Sequence, residues 1–222
     1  PSRWLASCAE ASSLLSGETV KVIPNGLDVS SFKPQPATTV RSQLGLDLDA
    51  NLICFGADWS TPRKGMDLLY DALSHLENTT ESIQVVVFGH TDSDSAPEVN
   101  IPISYLGFVD EDTLRELYSA ADLMVVPSRQ EAFGQTASEA LASGTPVVAF
   151  DTTGPRDIVD HKKTGYLAEP FNSVDLASGI DWVLKDDERQ TRLSERAREV
   201  AVERFSIETI AERYRELYEN LT

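Results

Sequence analysis

Four short, nearly unbroken apolar runs punctuate the first two-thirds of the chain: 52–57 (LICFGA), 83–89 (IQVVVFG), 123–127 (LMVVP) and 146–150 (PVVAF). Each is rich in β-branched or aromatic residues and lacks strict alternation, the pattern of strands buried on both faces. Between them, 65–76, 110–121 and 135–143 carry apolar residues at helical spacing. Strand and helix alternating at these lengths predict an α/β, Rossmann-like parallel sheet with helices on both faces. From 173 onward the period stays helical, over 174–185, 188–205 and 207–221, with Ser206 placed to cap the last of these. Ahead of the sheet, 4–15 reads as an amphipathic helix and Pro24-Asn25-Gly26 as a turn.

Ligands of parallel sheets bind beyond the carboxyl ends of the strands. Arg63-Lys64-Gly65, the segment 131–135 and Thr153-Gly154-Pro155-Arg156-Asp157 each follow one of the predicted strands, so three sequence-distant loops converge on one edge. Glu131 and Glu139 bracket a Gly-containing turn and the start of a helix near Gln135. The unpaired N–H groups of that helix start favour an anion such as phosphate, and Gly134 lets a ligand approach the backbone. Carboxylates accept hydrogen bonds from hydroxyls, so the pair suits a ligand with hydroxyls beside a phosphate. Taken alone, two glutamates near a helix start are better explained as solvated residues, where acidic side chains are favourable anyway. The convergence of loops decides for a site.

The chain has 222 residues, 41% of them hydrophobic, enough for one sizeable core. It opens on Pro1 with no apolar leader and contains no apolar run near ~18 residues, so a soluble, cytoplasmic fragment of a longer protein is expected. With 19 basic and 36 acidic residues the net charge is −17, which argues against nucleic acid as a partner. Any anionic ligand must be held locally. Cys8 and Cys54 have no partner at metal-ligand spacing, Cys54 reads as a core strand residue, and His75, His90 and His161 are scattered. No metal site is expected; Asp92-Ser93-Asp94 lies in a polar stretch and reads as solvated.

Pro24-Asn25-Gly26-Leu27-Asp28, Arg63-Lys64-Gly65, Leu106-Gly107-Phe108-Val109, Glu131 through Glu139 and Gly144-Thr145-Pro146-Val147-Val148-Ala149 follow one another at a spacing that resembles the C-terminal, nucleotide-sugar-binding half of family 4 retaining glycosyltransferases of the GT-B fold. The likeness covers essentially the whole chain. It implies a donor-binding domain over 20–205, a remnant helix of an acceptor-binding N-terminal domain over 1–19, and a final helix over 206–222 that crosses back to that domain. It also implies transfer of a hexosyl group from a nucleotide sugar to a glycan or lipid-linked acceptor, as in polysaccharide biosynthesis, with no cofactor. The full-length protein could then work at a membrane surface.

By the same resemblance, Glu131 touches donor-sugar hydroxyls and Glu139 the nucleotide ribose. The backbone of Phe133, Gly134, Gln135 and Thr136 cradles the distal phosphate or sugar, Lys64 and Arg63 clamp the diphosphate, and Phe108 and Val109 lie beside the base. Fixed cations and helix N–H dipoles would stabilise the leaving diphosphate more in the transition state than in the ground state. One departure stands out: many relatives have an Arg directly after the glycine that ends the first strand, whereas here Gly56 is followed by Ala57-Asp58. Arg63 or Arg156 could substitute, and Arg156 is as well explained by a surface pair with Asp157 or Asp160. Without a second domain the chain is expected to bind nucleotide and transfer little sugar. Two other readings stay open: a nucleotide-binding module that completes an active site with another chain, and a GT-B enzyme that isomerises nucleotide sugars or phosphorolyses glycans.

Overall fold

A computed structural model describes residues 1–58, 61–76, 82–90 and 97–220. Its strands are β1 (Asn51–Asp58), β2 (Ile83–His90), β3 (Ile103–Gly107), β4 (Leu123–Val126), β5 (Val147–Phe150) and β6 (Gly165–Ala168). All pair in parallel, in the order β3-β2-β1-β4-β5-β6. The order reverses between β1 and β4, and a crevice opens at such a reversal beyond the carboxyl ends. This is the Rossmann-like sheet expected from the sequence.

The helices are α1 (Arg3–Glu10), α2 (Ala37–Leu44), α3 (Met66–Leu76), α4 (Glu111–Ala120), α5 (Gln135–Ala142), α6 (Pro155–Ile158), α7 (Ser173–Leu184), α8 (Asp187–Phe205) and α9 (Ile207–Glu219). One sheet face, with Leu52, Cys54, Val86, Met124 and Val147, packs on α4, α5 and α8. The other, with Ile53, Phe55, Val85, Leu123 and Val148, packs on α3 and α7. Successive residues of each central strand therefore enter opposite layers, which explains the unbroken apolar runs. Every full burial of such a side chain contributes roughly 1.5–3 kcal/mol.

The elements that were not predicted lie at the margins. β3 and β6 are the two edge strands and are largely half-buried, so neither has a continuous apolar run. The polar-looking helix α2 is held by buried Arg41, whose guanidinium bonds the carbonyls of Ala120 and Ala50, each at 2.9 Å, and Asp122 at 2.5 Å. Asp122 in turn accepts the Leu52 N–H at 2.7 Å, so this pair fixes where β1 and β4 begin. The first helix stops at Glu10 rather than reaching residue 15. Ser12 Oγ accepts the Leu14 N–H at 3.2 Å, a local bond that competes with the helix, and Leu14 is left 89% exposed. The last helix ends at Glu219; its predicted end at Leu221 and the Asp92-Ser93-Asp94 stretch lie outside the described residues. Ser206 caps α9 as expected, accepting from the Thr209 N–H at 3.2 Å.

Gly65, between β1 and α3, has φ +72°, and a Cβ added there would lie 1.9 Å from the Pro127 carbonyl oxygen. Only glycine permits that approach. Gly45, after α2, has a similar φ of +66° and open space around it. Gly65→Ala should lower the melting temperature by about 4–8 °C, equivalent to at least about 2 kcal/mol. Gly45→Ala should cost about half as much, because it carries the conformational strain without the clash. Equal shifts for the two variants in a thermal melt would contradict the close packing at Pro127.

Candidate functional site

Beyond β1 the chain makes a short 3₁₀ turn, Pro62–Lys64, before Gly65. The Arg129 N–H donates to the Arg63 carbonyl at 2.7 Å, and the Arg129 side chain pairs with Asp67 at 2.6 Å. These contacts zip the loop after β1 to the loop after β4. Lys64 Nζ consequently lies 2.6 Å from Glu131 Oε1, with Arg63 Nη1 at 3.6 Å and Ser128 Oγ donating to the same oxygen at 3.1 Å. Glu131 Oε2 has no partner among the described residues.

The loop after β5 holds the same glutamate by its main chain. Thr153 Oγ1 accepts the Glu131 N–H at 3.2 Å, and the Gly154 N–H donates to the Glu131 carbonyl at 2.9 Å. A Cβ on Gly154 would meet the Phe133 carbonyl oxygen at 2.1 Å, so glycine again permits the contact. Thr153 itself has φ +49°, strained for a β-branched residue. The three loops predicted to converge do meet.

At the start of α5, Gly134 has φ +108° and closes the first turn by accepting from the N–H groups of Ala137 and Ser138. The N–H groups of Gln135 and Thr136 find no acceptor among the described residues, as first-turn donors of a helix do not. The Phe133 ring is buried edge-on against Phe205, centroids 5.7 Å apart, so the main chain is what this residue offers a ligand. The Phe108 ring, after Gly107, is 82% exposed and 6.3 Å from the His90 ring, while Val109 packs partly into the core.

Glu139 lies one turn into α5, and its Oε2 accepts the Tyr118 hydroxyl at 3.0 Å. Burial pushes its carboxyl above the ordinary 4.5; hydrogen bonds from Tyr118 and Gln135 oppose the rise, and the Glu111 charge adds to it. Burial, followed by the Glu139 charge, pushes the Tyr118 phenol well above its ordinary value.

Arg156 pairs with Asp151 at 2.9 Å rather than with Asp157 or Asp160. Those carboxylates are taken by Arg3 at 2.9 Å and Arg204 at 2.7 Å. Ser2 Oγ also bonds the Ala132 carbonyl at 2.5 Å, so the start of α1 is tied to the Glu131 loop. Sequence reasoning missed Ser2, Tyr118 and Ser128, and it placed Thr153 in a converging loop without giving its hydroxyl a role. Tyr118 alone carried a signal, a phenol hydroxyl on the apolar face of a helix, which requires a partner. Cys8 is exposed and Cys54 buried, both free, and His75 is exposed. Among the described residues no group of three His, Cys, Asp or Glu could hold a metal ion, and no helix is long and apolar enough to cross a membrane.

The model of the family described as glycosyl transferases group 1 matches residues 37–200, well over half the chain. The chain belongs to that family. Over 236 aligned residues it is 31% identical to the lipopolysaccharide 1,2-N-acetylglucosaminetransferase of Salmonella typhimurium, covering 99% of this chain and 61% of that protein. Among solved structures, this group 1 glycosyltransferase chain resembles sucrose-phosphate synthase of Thermosynechococcus elongatus, with TM-score 0.81, 27% identity and coverage of 97% and 56% of the two chains. It also resembles HepE of Anabaena in complex with UDP and glucose, with TM-score 0.75, 26% identity and coverage of 90% and 56%. The chain thus spans about three-fifths of the first relative's length and just over half of each solved structure.

The raised carboxyl of Glu139 means that the folded state binds its proton more tightly than the unfolded chain. Its stabilising effect is full below about pH 4.5 and is lost as pH rises through the folded value. Glu139→Gln should therefore raise the melting temperature relative to the parent at pH 7.5, with the gain shrinking as pH falls toward 4.5. A variant less stable than the parent at both pH values would contradict the burial cost assigned to Glu139.

Proposed function

We propose that this group 1 glycosyltransferase chain is the C-terminal, donor-binding half of a retaining enzyme. It would hold a nucleoside-diphosphate sugar whose hexosyl group passes to a glycan or lipid-linked acceptor. The observation that carries the reading is the meeting of Lys64 and Arg63 with Glu131 at the β1–β4 crevice, beside the open N–H groups of Gln135 and Thr136. Cations and helix donors together suit a diphosphate, and the free Oε2 of Glu131 suits a sugar hydroxyl. The family and the UDP bound to HepE support the ligand class.

From Phe108 after β3 to Glu131 after β4 the edge runs three strand spacings, roughly 14 Å. That length suits base, ribose, diphosphate and sugar laid in a line. In transfer the diphosphate departs with growing negative charge, and Lys64, Arg63 and the α5 dipole would stabilise it as the bond to the sugar carbon breaks. Lys64 now neutralises Glu131; a bound diphosphate would share or take over that ammonium. A chain of −17 net charge otherwise repels such a ligand, so the local cations are indispensable. The acceptor site would belong to the N-terminal half of a GT-B enzyme, and this chain alone would transfer little sugar.

Calorimetry with a panel of nucleoside diphosphates and their sugars tests the reading. One base class should bind, and Lys64→Ala should weaken that binding roughly ten- to a hundredfold. Absence of binding to every compound, or an unaltered affinity in Lys64→Ala, would contradict it.

A further inference from the structure

Tyr118 stands outside every motif of the nucleotide-binding edge. It belongs to α4, which precedes β4, and its side chain is fully buried. Its ring packs edge-on against Phe88 near the carboxyl end of β2, centroids 5.9 Å apart, and lies 6.3 Å from Phe32. Phe88 in turn lies over Gly56 of β1, where an added Cβ would come within 3.0 Å of its ring. Strand, Phe88, Tyr118 and Glu139 thus form one stack rising from the sheet to the carboxylate. The main chain of Tyr118 is also fixed, since its carbonyl accepts the Thr145 hydroxyl.

We infer that Tyr118 is a positioning residue that sets selectivity for ribonucleotides, by fixing Glu139 through one oxygen so that the other meets the ribose hydroxyls. This rests on the donor-site reading of Glu139 given above. The hydroxyl of Tyr118 donates to Oε2 at 3.0 Å and has no competing partner among the described residues. A phenol whose proton is held so firmly by burial remains a donor across the neutral range. The carboxylate is half-buried, so with only the Gln135 donor left the side chain would lose its anchor on the core and one of the two donors that offset its desolvation. Ribose hydroxyls would then encounter a mobile or protonated group, which accepts their hydrogen bonds poorly.

The test compares UDP with 2′,3′-dideoxy-UDP by calorimetry. The parent chain should prefer UDP by about tenfold or more, the worth of a hydrogen bond to a charged group. Tyr118→Phe keeps the ring and its packing; it should bring the ratio down severalfold toward one while affinity for the dideoxy compound changes less than about twofold. In a Glu139→Ala background the same Tyr118→Phe change should leave the ratio unaltered, and this arm separates positioning from a general loosening of the core. If the parent discriminates and Tyr118→Phe discriminates equally, or weakens both compounds alike, the positioning role is overturned. If the parent binds both compounds equally, the ribose role of Glu139 fails and the inference fails with it.

Discussion

Backbone approaching backbone at two glycines is the constraint on which the rest of this edge depends. Gly65 lets the loop after β1 lie against the Pro127 carbonyl, and Gly154 lets the loop after β5 lie against Phe133. The β4 loop is gripped between them. Without those approaches Lys64 could not reach Glu131 at 2.6 Å, nor could Thr153 and Gly154 hold the Glu131 main chain on both sides. The doubly wound order of the sheet opens the crevice, and the glycines determine which side chains line it.

Two carboxylates within this frame share a design. Glu131 is held through Oε1 by Lys64 and Ser128, and Glu139 through Oε2 by Tyr118, with Gln135 as a further donor to its carboxylate. In each, one oxygen is fixed by the protein, which pre-organises the group for hydrogen bonds from a ligand. Their environments differ in charge: Glu131 sits beside two cations, whereas Glu139 is buried beside a phenol and feels Glu111. That contrast suits a ligand with a diphosphate at one position and neutral hydroxyls at another.

The central strands were legible because each alternates between two buried layers, leaving apolar runs that no helix of that length would need. β3 and β6 were not, since an edge strand is covered less and carries no such run. α2 was hidden because its anchor is a buried Arg41 rather than an apolar stripe. At the site, Lys64, Glu131 and Gly134 could be read from their places after strands and before a helix. The place of Thr153 could be read in the same way, but its left-handed backbone could not, because contacts with a loop 22 residues away impose it. The Arg156 pair was misjudged for a similar reason: tertiary packing gave its nearest acidic neighbours in sequence to Arg3 and Arg204.

A ligand at this crevice must be felt by the amides that line it. The most direct measurement is a titration of the isotopically labelled chain with UDP, followed by amide chemical shifts. Lys64, Glu131 and the run Phe133 to Thr136 should move together and saturate together. The cleft at the opposite ends of the strands, lined by Asp122, Gly144 and Thr191, should stay silent. Shifts centred on that opposite cleft, or saturation that leaves Gly134 and Gln135 unmoved, would contradict the account.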